Sequence, residues 1–181
     1  MADNIKSQTA RMDLLVDDML TLAKIDEGKI SVSREKFVIS EEILSCVLPF
    51  EALAFEKGKT LIINVQPNLT YTGNKTCVNQ VLNILLDNAI KHASNNGEII
   101  VDFRKEKGRL VLSVSNTGSN VPANQANKVF ERFYRGDNSR TRETGGSGLG
   151  LSIAKSVCDA NKWNLSAQSV INECMTITVV F

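Results

Sequence analysis

The sequence predicts an α/β fold in which helices cover a mixed β-sheet. Segments with the helical period of 3.6 residues alternate with segments that have the period of two of a strand. A hairpin and a final pair of strands argue against an all-parallel sheet, because short turns join antiparallel neighbours. The 181 residues, of which 43% are hydrophobic and 23% are charged, suffice for the core of one domain with a small appendage.

The first predicted element is an N-terminal helix with a narrow apolar seam. Between Ile5 and Leu22, apolar residues recur at heptad spacing. A seam of this width suits a single partner helix, and the alternative is an amphipathic helix that lies on its own domain. Gly28 can adopt the left-handed conformation that ends a helix, so we predict a boundary there, with domains at 1–28 and 29–181.

The second domain mixes helical and strand patterns. Ser40 is predicted to cap a helix that Gly58 ends, and Lys107-Gly108 is predicted to turn a hairpin. The segment at 117–150 is predicted to be rich in loops. The predicted elements, in chain order, are a strand at 29–38, a helix at 40–57, strands at 60–65 and 69–72, a helix at 75–93, strands at 98–105 and 109–116, a helix at 148–160, and strands at 165–170 and 176–181.

The charge, the apolar runs and the cysteine spacing each exclude a class of function. A formal net charge of +1 provides no general basic field for nucleic acid or an acidic membrane, so any anion site must be local. No apolar run approaches the roughly 20 residues needed to span a bilayer. The four cysteines lack the CxxC spacing of zinc or redox sites, and we expect them to be reduced and buried in a cytoplasmic protein.

A glycine cluster between Thr144 and Lys155 is the most informative segment. It runs from Gly145-Gly146-Ser147-Gly148-Leu149-Gly150 into an amphipathic helix. Glycines let backbone amides approach an anion and the helix start adds its positive dipole end, which is typical of phosphate binding. A flexible linker is the alternative, although linkers are seldom followed by a patterned helix. A P-loop is excluded because no Gly-Lys-Ser/Thr follows.

The long helix predicted at 75–93 carries three polar residues on one side. Asn88, Lys91 and His92 are spaced i, i+3 and i+4, away from the apolar stripe of the same helix. An amide oxygen can bind Mg²⁺, and a lysine and an imidazole can contact phosphate oxygens. Taken alone, this pattern is more simply interpreted as a solvated helix face.

Two further segments complete the candidate site. The strand that ends at Ser115 leads to Asn116, whose amide can bond a base edge, and to Gly118, which admits a ring close to the backbone. Alone, this segment would pass as an ordinary turn. Phe130 to Arg135 opens a stretch in which basic residues outnumber acidic ones, and this is the local positive patch.

These features, in this order, resemble the ATP-binding domain of bacterial sensor histidine kinases, a branch of the superfamily that also contains DNA gyrase and MutL. The resemblance covers Phe37 to the C-terminus and rests on three motifs at family-like spacing: Asp87-Asn88-Ala89-Ile90-Lys91-His92-Ala93, Phe130-Glu131-Arg132-Phe133-Tyr134-Arg135 and Gly146-Ser147-Gly148-Leu149-Gly150-Leu151. It implies a two-layer sandwich of a mixed five-stranded sheet and three helices, with ATP beneath a lid at 135–147. The N-terminal helix resembles the second helix of the dimerisation and phosphotransfer hairpin.

The resemblance also implies a role for each candidate residue. Asn88 would be the Mg²⁺ ligand, and Lys91 and His92 would contact phosphates. Phe130 and Phe133 would anchor the lid or, in the simpler interpretation, lie in the core. The other implied ATP-binding residues are Asn116, Gly118, Asn120 and Thr176 near the base, Gly146, Ser147, Gly148, Leu149 and Gly150 along the triphosphate, and Arg135 in the lid.

Three departures from the family pattern bear on function. Asn116 and Asn120 replace an aspartate and a glycine of the adenine motif, although Asn116 still offers an oxygen to the exocyclic amine. Ile84 stands where the superfamily places a glutamate in hydrolases or an asparagine in many kinases, which argues against hydrolysis because no carboxylate activates water. The acceptor histidine of the family lies on a helix that this sequence does not contain. His92 cannot replace it, because the resemblance places His92 in the ATP site.

The resemblance therefore implies a fragment of a protein-histidine kinase that uses ATP and Mg²⁺. It would donate the γ-phosphoryl group to a histidine outside this chain, for relay to an aspartate of a response regulator. The fragment alone is expected to be inactive in autophosphorylation. One alternative is a degenerate nucleotide-binding regulatory module without phosphotransfer. Another is a serine kinase of the anti-sigma-factor type, which would not need the heptad helix.

Partners and location follow from the same resemblance. The expected partners are a response regulator receiver domain and, through the hairpin helices, a second copy of the full-length protein. Nucleic acid is not expected as a partner. The fragment is expected in the cytoplasm, and the full-length protein is expected in the bacterial cell membrane through N-terminal parts that this sequence does not contain.

Overall fold

The computed structural model describes residues 34–119, 121–134 and 148–181, together with four residues nearer the N-terminus. Those four, Val16, Met19, Leu20 and Ala23, are helical and exposed. The rest of the predicted N-terminal helix, the boundary near Gly28 and the first half of the strand predicted at 29–38 lie outside the described residues.

A mixed five-stranded sheet forms the centre of the fold, as predicted. Its order is β2-β4-β5-β7-β6, in which β2 and β4 run parallel and the other pairs are antiparallel. A separate antiparallel sheet pairs β1 with β3. The strands are β1 (Glu35–Val38), β2 (Thr60–Val65), β3 (Thr70–Gly73), β4 (Glu98–Glu106), β5 (Arg109–Thr117), β6 (Asn164–Val170) and β7 (Cys174–Val180).

The described residues form four α-helices rather than the expected three. They are α1 (Ile39–Val47), α2 (Pro49–Glu56), α3 (Lys75–His92) and α4 (Gly150–Asn161), and a 3-10 helix spans Ala123–Phe130. The single helix predicted at 40–57 is divided at Pro49, because proline is accepted in the first turn of a helix but not in its interior. None of the described helices has the length and apolar character needed to cross a membrane.

Ser40 does not cap a helix, which corrects the prediction. The helix α1 begins one residue earlier, and Ser40 lies inside it with its side chain buried. Its Oγ donates to Gln66 O (2.7 Å) and accepts the N–H of Leu69 (3.0 Å), so the hydroxyl holds the loop between β2 and β3. These partners lie 26 and 29 residues further along the chain, beyond the reach of local cap chemistry.

The helices cover one face of the five-stranded sheet. Along β5, Leu112, Val114 and Asn116 are buried, and Ser113 and Ser115 between them are half-buried, as the period of two of a strand requires. The buried strand residues form one core with the buried sides of α3 and α4. The Asn116 side chain therefore lies on the face of the sheet that the helices cover.

All four cysteines are free thiols. Cys77 and Cys158 are buried, as predicted, and Cys46 and Cys174 are half-buried. Burial raises the pKa of Cys158 to about 12, and burial together with the nearby Glu42 raises the pKa of Cys46 to about 11. Both thiols therefore stay protonated, and poorly reactive, at neutral pH.

Candidate functional site

The first part of the candidate site is the C-terminal half of α3. Asn74 caps the start of this helix by accepting a backbone N–H at 3.0 Å, and the apolar side holds the helix on the sheet. Asn88 is half-buried, whereas Lys91 and His92 are exposed near the helix end. Lys91 forms an i, i+4 ion pair with Asp87. Exposed pairs of this kind contribute little stability, so the ammonium group can exchange Asp87 for another anion.

The second part is the turn into α4, formed by Gly148, Leu149 and Gly150, which we call the glycine turn. Gly148 has a φ of +73°, in the left-handed region that favours glycine. Leu149 is buried at the N-cap position, and no side chain among the described residues caps the helix start. The backbone N–H groups of such a helix start can bind an anion, and the helix dipole favours negative charge there.

These two parts of the site lie against each other. A Cβ built on Gly150, the first residue of α4, would lie 3.6 Å from Cγ2 of Ile84 on α3, which is ordinary van der Waals contact. Ile84 lies one helical turn before Asn88, on the same side of α3. The structure thus brings the Asn88 side of α3 to the glycine turn.

The third part is the end of β5. Asn116 is only 5% exposed, and its Nδ2 donates to Thr117 O at 3.3 Å. The same carbonyl accepts the N–H of Ser94, just beyond the end of α3, at 3.0 Å. Gly118 has a φ of +86°, and a Cβ there would lie 2.7 Å from Cβ of Ser94, so a side chain does not fit. These contacts join the end of β5 to the end of α3 that carries His92.

Phe130 and Phe133 lie in different environments. Phe130 is buried in the core, but Phe133 is 63% exposed, and its interpretation as a core residue is wrong. Phe133 has a φ of +63°, and its N–H donates to Gly148 O at 3.0 Å. This bond joins the chain on the two sides of the segment 135–147. That segment lies outside the described residues, and it includes the candidate residues Arg135, Gly146 and Ser147.

Thr176 does not lie with the other candidate residues. Its hydroxyl is 2.8 Å from that of Ser115, which precedes Asn116 on β5. Neighbouring residues of a strand point to opposite faces, so Thr176 and Asn116 are on opposite faces of the sheet. Met175 is buried and is paired with Asn116 in the register. Met175, and not Thr176, therefore lies beside Asn116, whereas the resemblance implies a position near the base for Thr176.

Reasoning from the sequence missed Met175 and two buried serines, Ser119 and Ser169. The signal for Met175 was present, because the apolar alternation of Met175, Ile177 and Val179 sets the buried face of β7. Nothing local marks the two serines, which lie 50 residues apart in the chain.

The candidate residue Asn120 lies outside the described residues.

The site offers few ligands to a metal ion. Across the described ranges, no three His, Cys, Asp or Glu side chains are grouped so that they could hold one metal. Asn88 offers a single amide oxygen, and an ion held there would take its other ligands from a bound molecule and water. Mg²⁺ is commonly bound in this way, through one or two side chains and substrate phosphates. The donor set thus fits Mg²⁺ accompanied by a phosphorylated ligand.

Proteins with similar sequences include a bacterial sensor protein and a bacterial sensor histidine kinase. The family described as histidine kinase-, DNA gyrase B-, and HSP90-like ATPase matches residues 73–181. Sensor protein DltS of Streptococcus agalactiae serotype III is 32% identical over 165 residues, which are 91% of this chain and 42% of DltS. Sensor histidine kinase WalK of Bacillus subtilis is 33% identical over 176 residues, which are 96% of this chain and 29% of WalK. This chain therefore spans less than half the length of either relative.

Solved structures of histidine kinases share the fold. The catalytic domain of histidine kinase ThkA aligns with a TM-score of 0.70 at 23% identity, over 82% of this chain and 95% of that domain. Full-length ShkA in complex with AMPPNP aligns with a TM-score of 0.79 at 21% identity, over 96% of this chain and 36% of ShkA. These likenesses show the fold, and the family match over more than half of its residues shows that the chain belongs to the histidine kinase-, DNA gyrase B- and HSP90-like ATPase family.

Proposed function

We propose that this chain is the ATP-binding catalytic part of a sensor histidine kinase. It would donate the γ-phosphoryl group of ATP to a histidine outside the chain, for relay to an aspartate of a response regulator. The observation that carries this proposal is the close approach of Gly150, at the start of α4, to Ile84, which lies one helical turn before Asn88 on α3. Two further findings support it, since the relatives DltS and WalK are sensor proteins and ShkA was solved with AMPPNP.

The base end of the proposed site is built around Asn116. Because Nδ2 donates to Thr117 O, the other branch of the amide presents Oδ1, which can accept a hydrogen bond from the exocyclic amine of adenine. Gly118 lacks a side chain, and Ser94 fills the space that a Cβ would take, so the glycine lets the end of β5 pack against the end of α3 beside the proposed base site. Met175 adds an apolar surface beside Asn116. The base would thus be bound by a neutral amide where the family usually has a carboxylate.

The phosphate end combines a helix start with two exposed polar side chains. The amides at Gly148, Leu149 and Gly150 and the dipole of α4 favour an anion, and Lys91 and His92 lie at the end of α3. Asn88 would hold Mg²⁺, which neutralises phosphate charge when bound. The resemblance adds Asn120, Arg135, Gly146 and Ser147 to the proposed site.

Ile84 favours transfer of the phosphoryl group to a protein side chain over transfer to water. It is a half-buried aliphatic residue beside Gly150, so the side chain at this position cannot take a proton from water. An acceptor histidine needs no such help, because its imidazole nitrogen is itself the nucleophile. That nitrogen would form the new bond to the γ-phosphorus while the bond to the β,γ-bridging oxygen breaks, leaving ADP.

For the whole protein, we propose a homodimer that forms through the hairpin helices and a receiver domain as the phosphoryl acceptor. Membrane attachment would lie N-terminal to this chain, and the chain itself would work in the cytoplasm. These proposals rest on the sensor proteins among its relatives, of which this chain covers 42% and 29%.

Phosphotransfer in trans tests the proposed function. The chain is mixed with γ-labelled ATP, Mg²⁺ and a separately prepared histidine-bearing hairpin, and we expect acid-labile label on the hairpin. A hairpin whose histidine is replaced by alanine is the matched control and should stay unlabelled. Binding of MgATP without transfer would favour a regulatory nucleotide-binding module, and a lack of MgATP binding would contradict both functions.

Thr176→Val is expected to leave the Kd for MgATP within about twofold, because a residue on the face opposite Asn116 does not meet the base. The variant loses the hydrogen bond to Ser115, which should lower the free energy of unfolding by about 1 kcal/mol. Titration calorimetry and thermal unfolding measure the two effects. A loss of affinity of about tenfold, or 1.4 kcal/mol, would contradict the placement of Thr176.

A further inference from the structure

A closed ring of hydrogen bonds links the backbone N–H and C=O of Val121 through two serine hydroxyls, next to the proposed base site. Ser169 Oγ donates to Val121 O at 2.7 Å, so Ser169 must be the acceptor in its bond with Ser119 Oγ. Ser119 Oγ in turn accepts the N–H of Val121 at 3.2 Å. We call the two hydroxyls, together with the N–H and C=O of Val121, the serine ring.

The serine ring is buried and every member of it is satisfied. Ser119 and Ser169 are each 5% exposed, and each hydroxyl donates one hydrogen bond and accepts one within the ring. Bonds in such a chain polarise one another in a medium of low dielectric constant. Removal of one hydroxyl leaves buried polar atoms without partners, which costs more than the bond itself. The ring therefore strongly favours one conformation of the backbone at Ser119 and Val121.

The hairpin of β6 and β7 that carries Ser169 also holds the neighbouring glycine. Gly118 N–H donates to Glu173 O at 2.8 Å, and Asn172 N–H donates to Ser119 O at 2.7 Å. On its other side, Gly118 lies so close to Ser94 that it has no room for a side chain. The β6–β7 hairpin and the end of α3 thus hold the Gly118 backbone between them.

We propose that Ser119 and Ser169 are positioning residues for the nucleotide base. Through Val121 and Gly118, the serine ring would fix the backbone that follows β5, and with it the position of the Asn116 amide that meets the base. The inference rests on the proposed function, because it takes Asn116 and Gly118 as the base site. The ring should affect binding of the base and not of the triphosphate, because α3 and the start of α4 hold the phosphates.

The test compares binding of the base with binding of the triphosphate. In the whole chain, Ser169→Ala and Ser119→Ala should each raise the Kd for MgATP about tenfold, because a backbone that the ring no longer holds has to be ordered again when the base binds. Calorimetry with inorganic triphosphate and Mg²⁺ should give a Kd within about twofold of wild type. The double variant should bind MgATP about as weakly as either single variant, because one break already opens the ring.

Ser166→Ala is the matched control for these variants. Ser166 lies on the same strand as Ser169 but points to the opposite face, so its substitution should leave MgATP affinity unchanged. Circular dichroism and thermal unfolding report whether each variant folds.

Three results would overturn the positioning role. The first is unchanged MgATP affinity in both serine variants, and the second is an equal loss of affinity for MgATP and for triphosphate. The third is unfolding of both variants, which would mean that the ring serves only the stability of the domain. Binding of MgATP by the wild-type chain shows whether a negative result counts against this inference alone or also against the proposed function. Wild-type binding of MgATP with unaffected serine variants refutes only the inference, whereas a wild-type chain that does not bind MgATP refutes the proposed function and the inference with it.

Discussion

Asn88→Ala should abolish the Mg²⁺-dependent part of ATP binding. The Asn88 amide is half-buried one turn beyond Ile84, on the side of α3 that meets the glycine turn. No cluster of acidic, histidine or cysteine side chains in the described part of the chain can replace it as a metal site. Substitution of a group that only orients a metal ligand lowers metal affinity about 10–100-fold. Because Asn88 would be the ligand itself, its loss should raise the Kd for MgATP at least about 100-fold.

Calorimetry with Mg²⁺ and with a chelator measures this effect. Without the metal, Asn88→Ala and wild type should bind ATP equally weakly, because the substitution removes only a metal ligand. Asn83→Ala is the control, since Asn83 is an exposed amide on the same helix whose Oδ1 accepts the thiol of Cys46 at 3.2 Å. Equal MgATP affinity in Asn88→Ala and wild type would remove Asn88 from the metal site.

Gly148→Ala should weaken nucleotide binding and also destabilise the domain. At a φ of +73°, alanine costs about 1–2 kcal/mol relative to glycine. The added Cβ would lie 3.3 Å from Cα of Phe133, which is tighter than ordinary contact, so this backbone has to move by a few tenths of an ångström. The shift occurs at the turn whose amides would contact phosphates, and we expect the Kd for MgATP to rise about tenfold, equivalent to 1.4 kcal/mol.

Gly108→Ala is the matched control for Gly148→Ala. Gly108 has a similar φ of +84°, at the turn between β4 and β5, but a Cβ there meets nothing within 4 Å. In both variants the melting temperature should fall by about 2–4 °C for each kcal/mol lost from the free energy of unfolding. Only Gly148→Ala should bind MgATP more weakly. Wild-type affinity in a destabilised Gly148→Ala would contradict the proposed role of the turn.

The errors at Ser40 and Phe133 share one cause, which is that a long-range contact was inferred from the local chemistry of a single residue. Ser40 has the chemistry of a helix cap, but it bonds a loop far along the chain. Phe133 has the hydrophobicity of a core residue, but it lies exposed beside Gly148. The division of the helix at Pro49 is different, because the proline itself carried that information.

The sequence by itself determined the order of the strands, the mixed sheet and the glycine turn, because strand periodicity and turn-forming residues are local properties. Only the tertiary structure decided that Met175 and not Thr176 lies beside Asn116, since a shift of one residue in a strand exchanges the two faces. Only the tertiary structure joined Ser119 to Ser169, 50 residues away. Such contacts depend on how the whole sheet pairs and packs, which no short segment of sequence specifies.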